Sequence, residues 1–252
     1  MRRWLTAAGL AAVVAAAGCG GNAAEPGVGG TPGGRVTVFA AASLTEVFTA
    51  LGKEFEAAHA GTTVTFNFGG SSGLATQLNA GAPADVFAAA SPATMAQVED
   101  ASEPRVFARN QLTIAVPPGN PGRVAGLADI ARPGVKVAVC AAEVPCGAAA
   151  AKALEAAGVE LTPATLEQDV KAALTKLTLG EVDAALVYRT DVRTAGDQVA
   201  GVEFPESAAA VNDYPIAVLD NAPNPGGARA FVEFVASEQA AAALTRAGFQ
   251  VP

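Results

Sequence analysis

The chain is 252 residues long and 51% apolar, with 16 basic against 24 acidic side chains and a single histidine. That length buries one large core or two modest ones. The acidic balance argues against nucleic acid or an anionic membrane surface as partners, and it leaves any anion specificity to local groups.

The first residues read as an export signal. Met1-Arg2-Arg3 is a basic start, Leu5 to Ala17 an apolar run, and Ala16-Ala17-Gly18-Cys19 a small-residue cleavage site, too short together for a membrane span. Cys19 after Ala-Ala-Gly resembles a bacterial lipobox, whose cysteine is lipidated and becomes the first residue, although Ala16 stands where Leu is usual. A plain secreted protein cleaved elsewhere is the alternative. Arg2 and Arg3 both fall in the signal segment, residues 1–19, and beyond it the chain carries 14 basic and 24 acidic side chains. Residues 20–34, rich in Gly and Pro, read as a flexible tether.

Strands and helices then alternate. Val36–Ala40 reads as a strand, and Leu44–His59 as a helix with Leu44, Val47, Phe48, Leu51 and Phe55 at helical spacing. Thr62–Phe68 is a strand, Ser72–Ala80 a helix stopped by Gly81 and Pro83, Ala84–Ala88 a short buried strand, and Pro92–Val98 a helix. Gln111–Val116 is a strand, Gly126–Ile130 a short helix, Val135–Val139 a strand and Cys146–Ala157 an Ala-rich helix closed by Gly158. Gln168–Leu177 is helical, Ala184–Val187 and Gln198–Phe204 are strands, Tyr214–Leu219 is a strand that leads back, and Pro225–Ala247 is one long helix. The alternation predicts an α/β protein with parallel sheets in two lobes, crossed twice, with a ligand between them at the strand ends.

Two units carry the chemistry. VTVFAAASLTEVF runs a strand through small residues to Ser43, and TVTFNFGGSSGLATQL does the same to Ser71 and Ser72. A helix start has unpartnered N–H groups and partial positive charge, so two such ends facing each other suit a small oxyanion without Lys or Arg. The plainer reading of each serine is a helix N-cap. The small approach residues favour a ligand, because a cap does not need them.

Gly69-Gly70-Ser71-Ser72-Gly73 also fits G-x-S-x-G between a strand and a helix. No histidine follows His59, however, and no Lys lies three residues after Ser43 or Ser71 to act as base. Metal-ligand spacing and phosphate-loop fingerprints are missing as well. The chain reads as a binder, not an enzyme, with no cofactor. Cys140 and Cys146 form a disulfide or stay as two free thiols; export favours the disulfide.

VTVFAAASLTEVF, GGSSGLATQLNAGAPADVFAAAS, VPCGAAAAKALEAAG, EQDVKAALTKLTLGEVDAALVY and YPIAVL together resemble the molybdate-binding periplasmic component of ABC importers, from Arg35 to Pro252. The resemblance implies a two-lobed periplasmic-binding-protein fold of type II, with residues 35–110 and 216–252 as lobe I and 111–215 as lobe II. It implies a tetrahedral oxyanion, molybdate or tungstate, held by hydroxyl and backbone N–H donors alone. By position those donors are Ser43, Ser71 (with Ser72 its open alternative), the N–H groups of Cys146 and Val170, and the Tyr188 hydroxyl. Another oxyanion receptor of the same fold, such as one for sulfate, is the alternative. The implied partners are an ABC permease and its ATPase, with the membrane reached through the lipid on Cys19 and the protein itself a monomer. Gly69-Gly70 departs from the family's more usual Ala/Ser residues and is expected to loosen the second helix start. The cysteine pair is an addition to the shared pattern.

Overall fold

The computed structural model describes residues 33–252. The signal segment, Cys19 and nearly all of the tether lie outside the described residues; Gly34, at the tether's end, already belongs to the first strand. Among the described residues no helix is long and apolar enough to cross a membrane.

The first half alternates β1 (Gly34–Ala41), α1 (Thr45–Ala58), β2 (Thr62–Gly69), α2 (Ser71–Asn79), β3 (Val86–Ala88), the short α3 (Pro92–Met95) and β4 (Arg105–Asn110). The middle runs β5 (Leu112–Val116), α4 (Leu127–Ile130), β6 (Val137–Cys140), α5 (Pro145–Ala157), β7 (Thr165–Glu167), α6 (Val170–Thr178), β8 (Ala184–Tyr188), α7 (Arg189–Ala195) and β9 (Ala200–Val202). The end returns through β10 (Asn212–Val218) to α8 (Pro225–Val235) and α9 (Glu238–Ala247).

Two five-stranded sheets result, one ordered β2-β1-β3-β10-β4 and the other β7-β6-β8-β5-β9. The chain passes between them at Asn110–Gln111 and again between β9 and β10, giving two lobes with two crossings. The sheets are mixed rather than parallel: β10 runs antiparallel to β3 and β4, and β5 antiparallel to β8 and β9. The reversed strands are the ones at the crossings, where a strand enters from the other lobe and not through an α-helix. The long terminal helix is also two helices, because the Ser237 hydroxyl accepts the Ala240 N–H and caps a fresh start.

Each sheet has its own core. In the first lobe α1, α8 and α9 bury Phe48, Phe55 and Phe231 against one sheet face, with Phe55 and Phe231 edge to face at 5.3 Å. Helices α2 and α3 cover the other face through Leu74, Leu78 and Met95. The second lobe packs Val and Ala strands against α5 and α6. Two separate cores joined by two strand crossings are what allow one lobe to move against the other.

Candidate functional site

The carboxyl ends of β1, β2, β6 and β8 point into one hollow between the lobes. Its first wall is Ala41-Ala42-Ser43 and Gly69-Gly70-Ser71, with Ala90 beside them. The opposite wall is Val144-Pro145-Cys146, Asp169-Val170 and Tyr188. The structure thus brings together all five residues expected from the sequence: Ser43, Ser71, Cys146, Val170 and Tyr188. The cavity between these walls is small, ≈ 20 Å³.

Neither serine caps its helix. Ser43 lies in a short 3₁₀ turn, Ala42–Leu44, and its Oγ sits 2.8 Å from the Tyr214 hydroxyl. Ser71 is the first residue of α2, with Gly70 as N-cap, and its Oγ accepts the Ala90 N–H at 3.0 Å. Accepting that bond leaves the Ser71 hydrogen free for a second partner. Ser72, the alternative to Ser71, is turned away from the hollow and donates to the Glu143 carbonyl at 2.6 Å.

Across the hollow, α5 and α6 point their N-termini inward. Cys146 follows Pro145 in the first turn of α5, and Val170 is the first residue of α6; first-turn N–H groups have no acceptor inside their own helix. Asp169, the one carboxylate in the wall, caps α6 by accepting the Ala172 N–H at 2.9 Å. Cys140 and Cys146 are joined as a disulfide, with Cα atoms 5.7 Å apart, which ties the end of β6 to the start of α5. Gly147 sits under that loop: a Cβ there would lie 1.9 Å from the Ala141 carbonyl oxygen.

Tyr188 closes the hollow at the end of β8. It is 1% exposed, and its hydroxyl has no hydrogen-bond partner among the described residues. A buried hydroxyl left unpaired costs about 1–3 kcal/mol, so a group aimed into this space calls for an acceptor. Burial pushes the phenols of both Tyr188 and Tyr214 well above their usual range, and both stay protonated donors at neutral pH. Behind Tyr188, the fully buried Asp191 carboxylate accepts the Tyr188 N–H at 3.0 Å. Burial raises the Asp191 pKa to about 6 despite Lys171, whose ammonium lies 3.4 Å away.

No Arg or Lys lines the hollow. Beside the capping carboxylate of Asp169, its polar groups are first-turn peptide N–H groups, two serines and a tyrosine, donors that suit an acceptor-only anion without a formal countercharge. Among the described residues no cluster of His, Cys, Asp or Glu has the makeup of a metal site. His59 ends α1, with Nδ1 2.9 Å from the Phe55 carbonyl and its ring stacked on Phe55.

Sequence reasoning missed Tyr214, Lys171 with Asp191, and the reason for Gly70. The Tyr214 signal was available, since the chain has two tyrosines in all and both meet here. Gly70 has a steric role in the structure. A Cβ on Gly70 would lie 2.1 Å from the Gln168 carbonyl oxygen of the other lobe, so glycine permits the lobes to touch.

A family model for bacterial extracellular solute-binding proteins matches residues 36–250. The molybdate-binding protein ModA of Mycobacterium tuberculosis is 42% identical over 260 residues, covering 99% of this chain and 100% of that protein. Among solved structures, the periplasmic molybdate-binding protein of Azotobacter vinelandii superposes with a TM-score of 0.74 at 19% identity, over 86% of this chain and 99% of that one. The sulfate-binding protein SubI of M. tuberculosis superposes with a TM-score of 0.72 at 21% identity, over 86% of each chain. These two share the fold. The chain belongs to the bacterial extracellular solute-binding protein family, together with the ModA protein of M. tuberculosis.

Proposed function

We propose that this protein captures molybdate, and tungstate with it, outside the cytoplasm and delivers it to the permease and ATPase of an ABC importer. The observation that carries the reading is the buried hydroxyl of Tyr188, unpartnered and facing two serines and two helix N-termini. A fully deprotonated tetrahedral dianion only accepts hydrogen bonds, and the hydroxyls and first-turn N–H groups of this lining can donate them. Bonds to a charged acceptor contribute roughly 1.5–3 kcal/mol each, so the hydroxyls of Ser43, Ser71 and Tyr188 and the N–H groups of Cys146 and Val170 together offset much of the ion's dehydration. The 42% identity to ModA along the whole chain supports molybdate as the ligand.

Sulfate is the alternative, because the SubI fold superposes almost as well as that of the Azotobacter molybdate protein. Full-length similarity to a molybdate binder weighs against it. Physically the choice rests on size, since a smaller ion in a rigid lining leaves donors unpaired at about 1–3 kcal/mol each. Calorimetric titration with molybdate, tungstate and sulfate tests this: tight binding of the first two and weak binding of sulfate is expected, and equal affinities overturn it.

The export reading completes the proposal. Cleavage before Cys19, lipid on its sulfur and a tether to residue 34 would hold a monomeric receptor at the outer face of the membrane, with all of β10, Asn212–Val218, in the first lobe and not divided after residue 215. The Cys140–Cys146 disulfide suits that oxidising side. Metabolic labelling with a fatty acid, lost in Cys19→Ala, tests the anchor.

A further inference from the structure

Ser43 Oγ and Tyr214 Oη lie 2.8 Å apart, both buried, and each oxygen carries one hydrogen. The geometry lets either group be the donor. An acceptor-only anion removes that freedom: once Ser43 points its hydrogen at the ligand, the 2.8 Å contact survives only with Tyr214 donating to Ser43.

The surroundings hold Tyr214 in that role. Its ring is wedged edge-on against Phe107, Phe249 and Tyr188, at 6.5, 5.5 and 6.1 Å between centroids, so the hydroxyl cannot swing away. The Asn110 side chain donates to Thr190 Oγ1 at 2.8 Å. Asn110 ends the strand at the first crossing, and Tyr214 lies in the strand that follows the second.

We propose that Tyr214 is a positioning residue for ligand binding: it makes Ser43 an obligate donor to the oxyanion, through a relay Tyr214 → Ser43 → ligand anchored where the chain crosses between lobes. The proposal rests on the reading that Ser43 touches the ion. Donation from Tyr214 also polarises the Ser43 hydroxyl and strengthens its bond to the anion.

A double-mutant cycle with molybdate, read by calorimetry, tests it. Tyr214→Phe is expected to weaken binding about 5- to 10-fold, the scale of one buried hydrogen bond, while the ligand-free melting temperature stays near wild type. In a Ser43→Ala background the same change is expected to weaken binding less than about twofold, since the relay has no middle member. The full loss persisting in that background, or wild-type affinity in Tyr214→Phe, overturns the relay and leaves the ligand reading standing. Wild-type affinity in Ser43→Ala sinks the ligand reading and the relay together. Should Tyr214→Phe not fold, tyrosine labelled with ¹³C at Cζ provides the readout. Saturating molybdate should move the Tyr214 signal in the wild type by more than twice its movement in Ser43→Ala, and equal movement overturns the relay.

Discussion

Ser72 Oγ, at the start of α2 in the first lobe, donates to the Glu143 carbonyl in the β6–α5 loop of the second at 2.6 Å. This bond lies outside the hollow yet forms only when the lobes meet. Ser71 and Ser72, adjacent in sequence, therefore divide the labour: one lines the hollow and its neighbour latches it. Ser72→Ala should leave the pocket lining intact and remove about 0.5–1.5 kcal/mol from the closed state, weakening molybdate binding about 2- to 10-fold, mainly through faster release. Stopped-flow tyrosine emission reads this directly, because the sole tryptophan, Trp4, precedes Cys19 and both tyrosines lie at the pocket. Unchanged release would remove Ser72 from closure.

Gly70 has ordinary extended dihedrals, φ −61° and ψ 128°, so its backbone does not demand glycine. Space does, since its Cβ position is already occupied by the Gln168 carbonyl when the lobes are shut. Gly70→Ala should fold normally and bind molybdate about 10- to 100-fold more weakly, as overpacking by about 1–3 kcal/mol acts on the closed form. The expected signature is a normal ligand-free melting temperature with little stabilisation on adding molybdate. A drop in ligand-free stability of several degrees would locate the strain elsewhere.

The alternation of elements and the two strand-to-serine units were legible because both are local: apolar periodicity within a segment, small residues just before a polar one. What was not legible is remote pairing. The direction of β10 depends on β3 and β4, more than a hundred residues earlier, and no local spacing encodes it. Strand β4, Arg105–Asn110, alternates poorly at an exposed sheet edge, and α7 is too short to show a helical period. Apolar spacing runs straight through Ala236-Ser237, which hid the break between α8 and α9. At the site, the inward helix ends followed from sequence, whereas the buried pair of Lys171 and Asp191 joins two helices with no pattern between them.

Lys171 reaches both ways, to the buried Asp191 in its own lobe at 3.4 Å and to Glu46 of the other lobe at 2.9 Å. The two contacts differ in kind. Glu46 is about half exposed, and pairs of that sort contribute about 0–1 kcal/mol, so Glu46→Gln should change molybdate affinity less than about fivefold. Lys171→Met removes the cation facing a carboxylate that is 0% exposed, which must then stay charged without a partner or take up a proton, and either costs stability. Thermal melts at neutral pH should show a large loss for Lys171→Met and almost none for Glu46→Gln. Equal losses would contradict this ranking.

Asp191 also sets a pH dependence. Its pKa rises from 3.8 to about 6 in the fold, so between those values the folded chain holds a proton that the unfolded chain releases. Stability from this group is therefore fully present below about pH 4 and is lost as pH rises through 6. Asp191→Asn removes the titration and keeps an acceptor for the Tyr188 N–H. The melting temperature of the variant minus that of the wild type should become more positive from pH 5 to pH 7.5, and a flat or falling difference counts against a carboxylate raised by burial.

The Cys140–Cys146 bridge spans six positions and ends on Cys146, in the first turn of α5 beside the hollow. Its chain-entropy contribution for so short a loop is about 2 kcal/mol, so reduction should lower the melting temperature by about 4–8 °C. Binding should respond less than stability, because Pro145 and the packing of Gly147 under the Ala141 carbonyl still direct the first turn of α5. The paired variant Cys140→Ser with Cys146→Ser keeps the N–H at position 146 and should bind molybdate within about threefold of wild type. A loss comparable to that of Ser43→Ala would mean that the bridge itself, and not the helix start it braces, fixes the donor.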